Sequence, residues 1–356
     1  MRTTRVLLLI LMVCLVPPVW GQAPAPPARG GRTDRPITLD VVVTDKSGNP
    51  VSGLQQSDFT VLDDKQAQTI LAFRAVDETS KGPPLQVIFL LDAVNPSYRA
   101  VSNARQQLEK FLRQGDGPLP VPMSLVLLTD KTTRAQGSVT RDRAALLDSV
   151  HASETGLRDI GRAAGFYGGA ERMQLSLRTL EDFTLFEEKQ PGRKLLIWLS
   201  SGWPLLSGPN VQMSEKDLQI TFHHILAIST EMREAHVTLY SIDPLGMDDA
   251  GGFRTFYYQS FLKGVVSPNK VENGNLGLQV IATQSGGRVL NSSNDVAALI
   301  AGCLLDTKAY YSLAFEAADA DHPDEYHDLQ VKIDKPGLAA RTRTGYYAQR
   351  REVVKN

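Results

Sequence analysis

Four apolar runs of similar length recur through the middle of the chain, and residues with helical spacing follow each of them. The runs are LQVIFLLD, MSLVLLTD, KLLIWLS and VTLYSID. Continuous apolar runs of this length are typical of strands buried on both faces, and strands separated by helices form parallel sheets. The pattern predicts an α/β fold, a doubly wound and mostly parallel sheet that helices cover on both faces. The segment QGSVT could add a short antiparallel edge strand.

The apolar spacing also predicts where the covering helices lie. One helix is predicted over about Ser97–Arg113, and a short strand, GRVL, is predicted between the last two helices. The other predicted helices are RDRAALLDSVHA, ERMQLSLRTLEDFTLFEE, SEKDLQITFHHILAISTEMREA, NLGLQVIATQS and NDVAALIAGCLLDT.

Segments with strand-like alternation flank this α/β region on both sides. Ile37, Leu39, Val41 and Val43 alternate with other residues, as a half-buried strand requires, and FTVLDD and TILAFRAV follow. The segments AYYSLAFEA, HDLQVKID and AARTRTGYYA come near the end of the chain. We predict an N-terminal β segment over 37–78, an α/β domain over 84–308, and a C-terminal β segment over 309–350. The two β segments are predicted to pack together as a small β subdomain.

The first residues have the features of an export signal. A charged start with Arg2 and Arg5 precedes the apolar run VLLLILMVCLV, which Pro17 and Pro18 end early. We predict a signal peptide over 1–21, a flexible leader over 22–36, and an exported protein, periplasmic or extracellular, with no membrane span after cleavage. An uncleaved anchor is the alternative. Cleavage would remove Cys14, and Cys303 alone forms no internal disulfide.

The charge balance argues against two classes of partner. The chain has 356 residues and a formal net charge of −1. Proteins that bind nucleic acid or anionic membranes by electrostatics carry a basic surplus, so the sequence predicts neither partner.

Asp92 directly ends the first apolar run. The carboxyl ends of parallel strands are where open α/β sheets bind ligands, and a carboxylate placed there is a candidate metal or ligand group. Whether it could hold a metal ion depends on the residues that follow it, Ala93-Val94-Asn95-Pro96.

Five blocks of sequence resemble those of a known family. The stretch Val41–Asp77 resembles the N-terminal signature of the von Willebrand factor A-related proteins first described in Acidobacteria. PGRKLLIWLSSGWP, VTLYSIDPLG, SGGRVLNSSND, and YYSLAFEA with GLAARTRTGYYA resemble the later blocks in the same order. The resemblance implies an exported protein with a doubly wound A domain. It also implies a metal-ion-dependent adhesion site, in which a D-x-S-x-S loop, a threonine and a further aspartate hold Mg²⁺.

The sequence departs from that metal-site pattern at most ligand positions. Asp92 matches, but Val94 and Pro96 occupy the two serine positions. The threonine loop reads Gly168-Gly169-Ala170-Glu171, and the third loop reads Leu199-Ser200-Ser201-Gly202. One carboxylate cannot hold Mg²⁺ strongly against its hydration shell. We therefore predict a degenerate site and no cofactor.

Two interpretations of Asp92 remain. In the first, a shifted and weak Mg²⁺ site uses Asp92 with Asn95, Ser97, Ser200 or Ser201. In the second, which the sequence favours, Asp92 accepts hydrogen bonds from loop backbone donors and orders the rim, because buried carboxylates are usually satisfied in this way.

Other catalytic or metal-binding patterns are weaker. Ser200 and Ser201 follow a buried strand, but the sequence lacks the glycine of a nucleophile elbow, so a serine hydrolase is a minor alternative. His223 and His224 are neighbours on a helix and point to different faces. The segment DADHPDEYHD, residues 319–328, could bind a divalent cation, but a solvated hairpin loop is the better interpretation.

A long aromatic segment follows the strand VTLYSID. Residues 246–275 contain Phe253, Phe256, Tyr257 and Tyr258, and Trp203 follows the preceding strand of the sheet. Loops at this rim often carry function, and exposed aromatic residues anchor interfaces. We predict a partner-binding rim made of Asp92, Asn95, Trp203 and these four aromatics, although core packing of the rings is an equal alternative.

These features predict an exported, non-enzymatic binding or adhesion protein. The predicted partner is another protein or a cell-surface polymer. A metal-dependent adhesion module with a ligand shell around Asp92 is the main alternative.

Overall fold

The computed structural model describes residues 36–77, 84–130, 133–153, 166–205, 213–246, 257–317, 320 and 322–348. The predicted signal peptide and nearly all of the predicted leader lie outside this range. Within it, no helix is both long and apolar enough to cross a membrane.

A six-stranded sheet forms the centre of the α/β region. Its strand order is β10-β9-β8-β5-β6-β7, and every neighbouring pair is parallel except β6 and β7. The predicted doubly wound, mostly parallel sheet is therefore confirmed, as is an antiparallel edge strand that includes QGSVT. The strands are β5 (Leu85–Asp92), β6 (Met123–Leu128), β7 (Thr133–Thr140), β8 (Arg193–Leu199), β9 (Val237–Ile242) and β10 (Val289–Leu290).

Helices cover both faces of this sheet. Val87, Phe89 and Leu91 of β5 contribute to one hydrophobic core, and Ile88 and Leu90 contribute to the other. Alternate residues of a strand point to opposite faces, so a strand buried on both faces must be apolar throughout. The helices are α1 (Tyr98–Arg113), α2 (Arg143–Ala152), α3 (Phe166–Glu187), α4 (Glu215–Glu234), α5 (Leu278–Gln284) and α6 (Val296–Leu304). Buried residues of α1, α2 and α6 belong to the first core, and those of α3, α4 and α5 to the second.

Helix α3 begins earlier than the sequence predicts. The predicted helix starts at Glu171, whereas the observed helix starts at Phe166 and includes Gly168 and Gly169. Each glycine inside a helix costs about 1 kcal/mol relative to alanine. Both glycines are buried, so packing offsets a preference that favours a loop.

The remaining strands form two antiparallel sheets of four strands each, with orders β13-β1-β11-β4 and β14-β12-β2-β3. Strand β1 pairs with β11, and β2 pairs with β12. The strands are β1 (Ile37–Thr44), β2 (Phe59–Asp63), β3 (Gln66–Gln68), β4 (Ile70–Asp77), β11 (Ala309–Phe315), β12 (Glu325–Ile333), β13 (Ala339–Arg341) and β14 (Gly345–Ala348). Chain segments from both sides of the α/β region thus complete the same two sheets.

The two small sheets share a hydrophobic core. Leu39 and Val41 of β1, Val61 of β2, Leu313 of β11 and Val331 of β12 all belong to it. The predicted strand AARTRTGYYA is wrong as a single strand, because it divides into β13 and β14, which lie in different sheets. The residues between them form a connection that leaves one sheet and enters the other.

A buried polar network joins this β part to the α/β sheet. One carboxylate oxygen of Asp306 accepts the hydroxyl of Tyr240 on β9 at 2.6 Å and also the guanidinium of Arg341 on β13. Arg193 at the start of β8 donates to the backbone oxygen of Asp306 at 3.0 Å. Because Asp306 is almost fully buried, these donors offset the cost of its desolvation.

Candidate functional site

The rim of the six-stranded sheet at the carboxyl ends of β5 and β8 is the place where a ligand site is expected. From β5 the chain first adds β6 on one side and later adds β8 and β9 on the other. The point where strand order reverses leaves a crevice at the carboxyl ends of the strands, where open α/β sheets bind ligands. Asp92 ends β5 at this point, and Ser200 directly follows β8.

Asp92 is fully buried, and four protein donors surround its carboxylate. Oδ1 accepts the backbone N–H groups of Val94 at 2.8 Å and Asn95 at 3.0 Å. Oδ2 accepts the side-chain amide of Asn95 at 2.8 Å and the indole N–H of Trp198 at 3.2 Å. A carboxylate offers about four lone-pair directions, so each has a donor. The predicted hydrogen bonds from loop backbone donors to Asp92 are therefore present.

Asn95 extends this polar cluster to helix α3. Its side-chain nitrogen also donates to Ser176 Oγ at 2.8 Å, and the Ser176 hydroxyl donates to the backbone oxygen of Arg172 at 2.8 Å. Asn95 Oδ1 is buried and has no hydrogen-bond partner among the described residues. The cluster therefore keeps one acceptor for a further donor or a cation.

The serines predicted as weak metal ligands have local structural roles. Ser97 is exposed and accepts the backbone N–H of Ala100 at 3.3 Å as the N-cap of α1. Ser200 is fully buried, and its hydroxyl oxygen accepts the N–H of Gly202 at 3.0 Å. The backbone oxygen of Ser201 accepts the side chain of Gln279 at 2.9 Å.

The predicted threonine loop is not a loop. Residues 168–171 lie in the first turns of α3, and the side chain that α3 brings to the Asp92 cluster is Ser176. For the hydrolase alternative, none of the described histidines is a hydrogen-bond partner of Ser200 Oγ, whose observed partner is Gly202.

The structure separates the predicted rim residues into buried and exposed groups. Trp203 is only 5% exposed, its indole N–H donates to Leu276 at 3.0 Å, and its ring meets Trp198 edge-on at 5.6 Å. Trp203 is therefore a core residue, and like Asp92 and Asn95 it offers no surface to a partner. The reason is that its chain segment turns inward to pack against the residues before α5.

In the described part of the aromatic segment, some residues are exposed and others pack into the core, and the sequence predicts both alternatives. Tyr257 is 69% exposed, and Tyr258 is half-buried. Val265, Val271 and Leu276 are buried in the core beside α4, and Tyr347 of β14 donates its hydroxyl to the backbone oxygen of Val265 at 3.1 Å. Phe253 and Phe256 lie outside the described residues.

Sequence reasoning missed Tyr98, the first residue of α1. Tyr98 is 67% exposed and follows the Asp92 loop directly. The signal available in the sequence was a tyrosine directly after the serine that caps the helix.

The structure also bears on two predictions about histidines. His223 is exposed, whereas His224 is partly buried and pairs with Glu181 of α3 at 2.7 Å, so the two neighbours do point to different surroundings. His327 is buried within β12 rather than in a solvated loop, because β12 already begins at Glu325.

Cys303 lies in the core between α6 and the sheet. It is fully buried, and burial raises the pKa of its thiol to about 12. The thiolate is the reactive form of cysteine, so Cys303 acts as a small apolar core residue.

Comparison with known proteins gives only distant structural similarity. Neither a protein-family model nor a curated protein matches the sequence. An aerotolerance-related membrane protein from Bacteroides fragilis has a TM-score of 0.34 and 14% identity, covering 63% of this chain and 99% of that one. The SpRpn10 VWA domain has a TM-score of 0.26 and 15% identity over 61% of this chain and 93% of its own. Human COPII-coat protein Sec24c has a TM-score of 0.32 and 9% identity over 75% of this chain and 44% of its own.

Proposed function

We propose that the chain is an exported, non-enzymatic binding protein that uses a von Willebrand factor A-like α/β domain to recognise another protein or a cell-surface polymer. The proposed binding surface is the sheet rim around the Asp92 loop, and the proposed mode of binding requires no metal ion. Export rests on the sequence of residues 1–21. The division into an α/β domain over 84–308 and a β subdomain from the flanking segments is part of the proposal.

The observation that carries the metal-free mode is the saturation of the Asp92 carboxylate. Four protein donors lie between 2.8 and 3.2 Å from its two oxygens. Mg²⁺ needs close oxygen ligands in near-octahedral geometry and gives up its water reluctantly. A metal ion at Asp92 would have to displace donors that already hold the loop.

Two exposed aromatics, which follow strands β5 and β9 along the chain, support protein or polymer recognition. Tyr98 and Tyr257 are each more than two-thirds exposed. Tyrosine is enriched among the residues that dominate interface affinity, because it combines a large apolar ring with a polar tip. Sugars and polypeptides both present surfaces that such rings can cover.

Thermal unfolding with Mg²⁺ tests the metal-free mode. A ligand present at a hundred times its dissociation constant stabilises the native state by about 2.7 kcal/mol, which raises the melting temperature by several degrees. We expect no such rise for the wild type or for the Asp92→Asn variant. A rise in the wild type and in the Asp130→Asn control that disappears in Asp92→Asn would contradict the proposal.

That same result would establish the second candidate, a Mg²⁺-dependent adhesion module with a shifted ligand shell. The observation that favours it is Asn95 Oδ1, a buried oxygen without a partner among the described residues, on the side chain that bonds Asp92. Partner binding would then require Mg²⁺ and fail in the presence of a chelator.

Site-specific photo-crosslinking tests the rim as the binding surface. A crosslinking side chain is placed at Tyr98, at Tyr257, or at Phe186 as the control, and the native cells are irradiated. Phe186 is also largely exposed but lies at the carboxyl end of α3, toward the opposite edge of the sheet. We expect a shared crosslinked species from the two tyrosine positions and none from Phe186. The reverse pattern would refute the rim as the binding surface.

A further inference from the structure

A cluster of three metal-ligating side chains lies in the β part, away from the Asp92 rim. His327 of β12 is only 5% exposed. Its Nδ1 lies 3.0 Å from Asp63 Oδ1, at the end of β2, and 3.3 Å from Asp64 Oδ2, in the turn that follows. One ligand atom from each of the three residues lies within 4.8 Å of the other two.

The distances suit a bound metal ion. Zn²⁺ binds nitrogen and carboxylate oxygen at about 2.0–2.2 Å, so ligand atoms at tetrahedral to octahedral angles lie about 3.0–3.4 Å apart. The two separations from His327 Nδ1 fall at this spacing. The Asp64 side chain is 53% exposed, so its carboxylate has room to adjust the third separation.

Other protein groups hold each carboxylate by its second oxygen. Asp63 Oδ2 accepts the hydroxyl of Tyr346 at 2.7 Å, and Asp64 Oδ1 accepts the backbone N–H of Asp328 at 2.9 Å. The ring of Tyr346 also stacks on the imidazole of His327 at 5.0 Å. One oxygen of each carboxylate therefore remains directed at the imidazole. Outer hydrogen bonds of this kind orient the ligands of metal sites in proteins.

The charge of the cluster distinguishes a metal ion from a proton. His327 Nε2 is buried and has no partner within the described part of the chain. It must carry a hydrogen both in a protonated imidazole and in an imidazole whose Nδ1 binds a metal, so the two states bury the same unpaired N–H. A proton compensates one of the two carboxylates and a divalent ion compensates both. The gain is greatest at Asp63, whose charge is buried, because buried charge is costly unless compensated.

We propose that Asp63, Asp64 and His327 form a binding site for a divalent transition-metal ion of the Zn²⁺ type. His327 Nδ1 and one oxygen of each aspartate are the ligands, and solvent reaches the ion from the exposed side of Asp64. Imidazole with carboxylate favours Zn²⁺ over Mg²⁺ or Ca²⁺, which prefer oxygen ligands alone. The ion fastens the β2–β3 turn to β12. This proposal is independent of the function proposed for the Asp92 rim.

Zinc titration of the purified, chelator-treated protein tests the site. Binding of Zn²⁺ alone is measured by calorimetry, and Co²⁺ absorption reports the ligand environment. The test variant is Asp64→Asn, because Asp64 is exposed and has a φ of +46°, which asparagine tolerates. The controls are His322→Gln, which removes an exposed histidine just before β12, and Asp130→Asn, which removes an exposed carboxylate after β6.

We expect one Zn²⁺ per wild-type chain and affinity at least about tenfold weaker in Asp64→Asn, since even outer-shell changes cost 10- to 100-fold. Both controls should keep the wild-type affinity. Circular dichroism of each metal-free variant identifies any loss of folding. Titration well below the unfolding temperature ensures that the affinities compare folded proteins. Wild-type affinity in Asp64→Asn, an equal loss in His322→Gln, or no Zn²⁺ binding by the wild type would each overturn the proposal.

Discussion

At the scale of single residues, Asp92 determines the conformation of the loop that follows β5. A buried carboxylate without partners is costly, so its burial is tolerable only because donors surround it. Two of the four donors are backbone N–H groups of the loop itself, and a third is the side chain of Asn95. The fourth, Trp198, ties the loop to β8. The aspartate thus fixes loop shape directly.

Replacing Asp92 with alanine should destabilise the protein by about 3 kcal/mol. The change leaves the buried N–H groups of Val94 and Asn95 and the indole N–H of Trp198 without acceptors, and each unsatisfied buried donor costs about 1–3 kcal/mol. Relaxation of the loop recovers part of this sum. Urea unfolding followed by tryptophan fluorescence measures the loss.

The matched control for Asp92→Ala is Asp130→Ala. Asp130 lies on the same side of the sheet, after β6, and is exposed. Exposed substitutions usually change stability by less than about 0.5 kcal/mol. Equal stabilities of the two variants would show that the Asp92 hydrogen bonds contribute little.

Local sequence was enough to identify some residues of the site and not others. Asp92 and Asn95 could be found because they lie at the end of a buried strand, and the hydrogen bonds between them span only a few residues. Ser176 and Trp198 could not, because each depends on how a distant element packs against the loop. Trp203 was misplaced for the same reason, since topology gives its position along the chain but not the direction of its side chain.

At the scale of elements, apolar patterning was sufficient for the α/β sheet and insufficient for strand boundaries in the β part. The predicted strands of β5, β6, β8 and β9 are all present, because continuous apolar runs of this length are typical of strands buried on both faces of a sheet. The division between β13 and β14 was missed. Nothing in AARTRTGYYA specifies that its two ends pair with different sheets, since their partners are distant in sequence.

The contact between β1 and the turn before β9 makes a contribution to stability that depends on pH. Asp40 of β1 lies 3.3 Å from Nδ1 of His236. Burial by itself raises the pKa of Asp40, but the hydrogen bond with His236 and the charges of Arg193 and Arg343 outweigh it, so the pKa lies below the ordinary 3.8. The ionised form of Asp40 is therefore favoured by folding.

This shift predicts acid-dependent stability. A carboxyl whose pKa is lower in the folded state stabilises the protein fully above its unfolded pKa, and that contribution is lost as pH falls through the folded pKa. Asp40→Asn should lower the free energy of unfolding by about 1–2 kcal/mol near pH 6 and by less near pH 3. Urea unfolding of the wild type and of Asp40→Asn at the two pH values measures the difference in the free energy of unfolding. A difference that is larger near pH 3 than near pH 6 would contradict a lowered pKa of Asp40 in the folded state.

At the scale of the whole molecule, the β part depends on both ends of the described chain. The residues that the structure describes all belong to one compact unit. Strand β1 precedes the α/β region and pairs with β11, which follows that region. Strand β2 pairs with β12 in the same way. The two parts also share the Asp306 network, in which Tyr240 and Arg341 belong to different sheets.

This interdependence predicts that truncation after Lys308 is more damaging than removal of both β segments. The truncated chain keeps β1 and β2 but loses β11 and β12, so Leu39, Val41, Val43 and Val61 lose their packing partners. Unpaired apolar strands are templates for aggregation. The fragment 84–308 lacks those strands and keeps nearly all of both α/β cores.

Soluble yield and circular dichroism of the two shortened chains decide between these outcomes. We expect the chain that ends at Lys308 to aggregate, and the fragment 84–308 to remain soluble with helical signal but with a lower melting temperature than the full chain. The lower melting temperature follows from two losses. Asp306 loses its hydrogen bond with Arg341, and the second core, on the side of α3, α4 and α5, loses Tyr347 of β14. A chain ending at Lys308 that stays soluble and monomeric would mean that the N-terminal strands need no C-terminal partner, and the β sheets would then be held by local contacts instead.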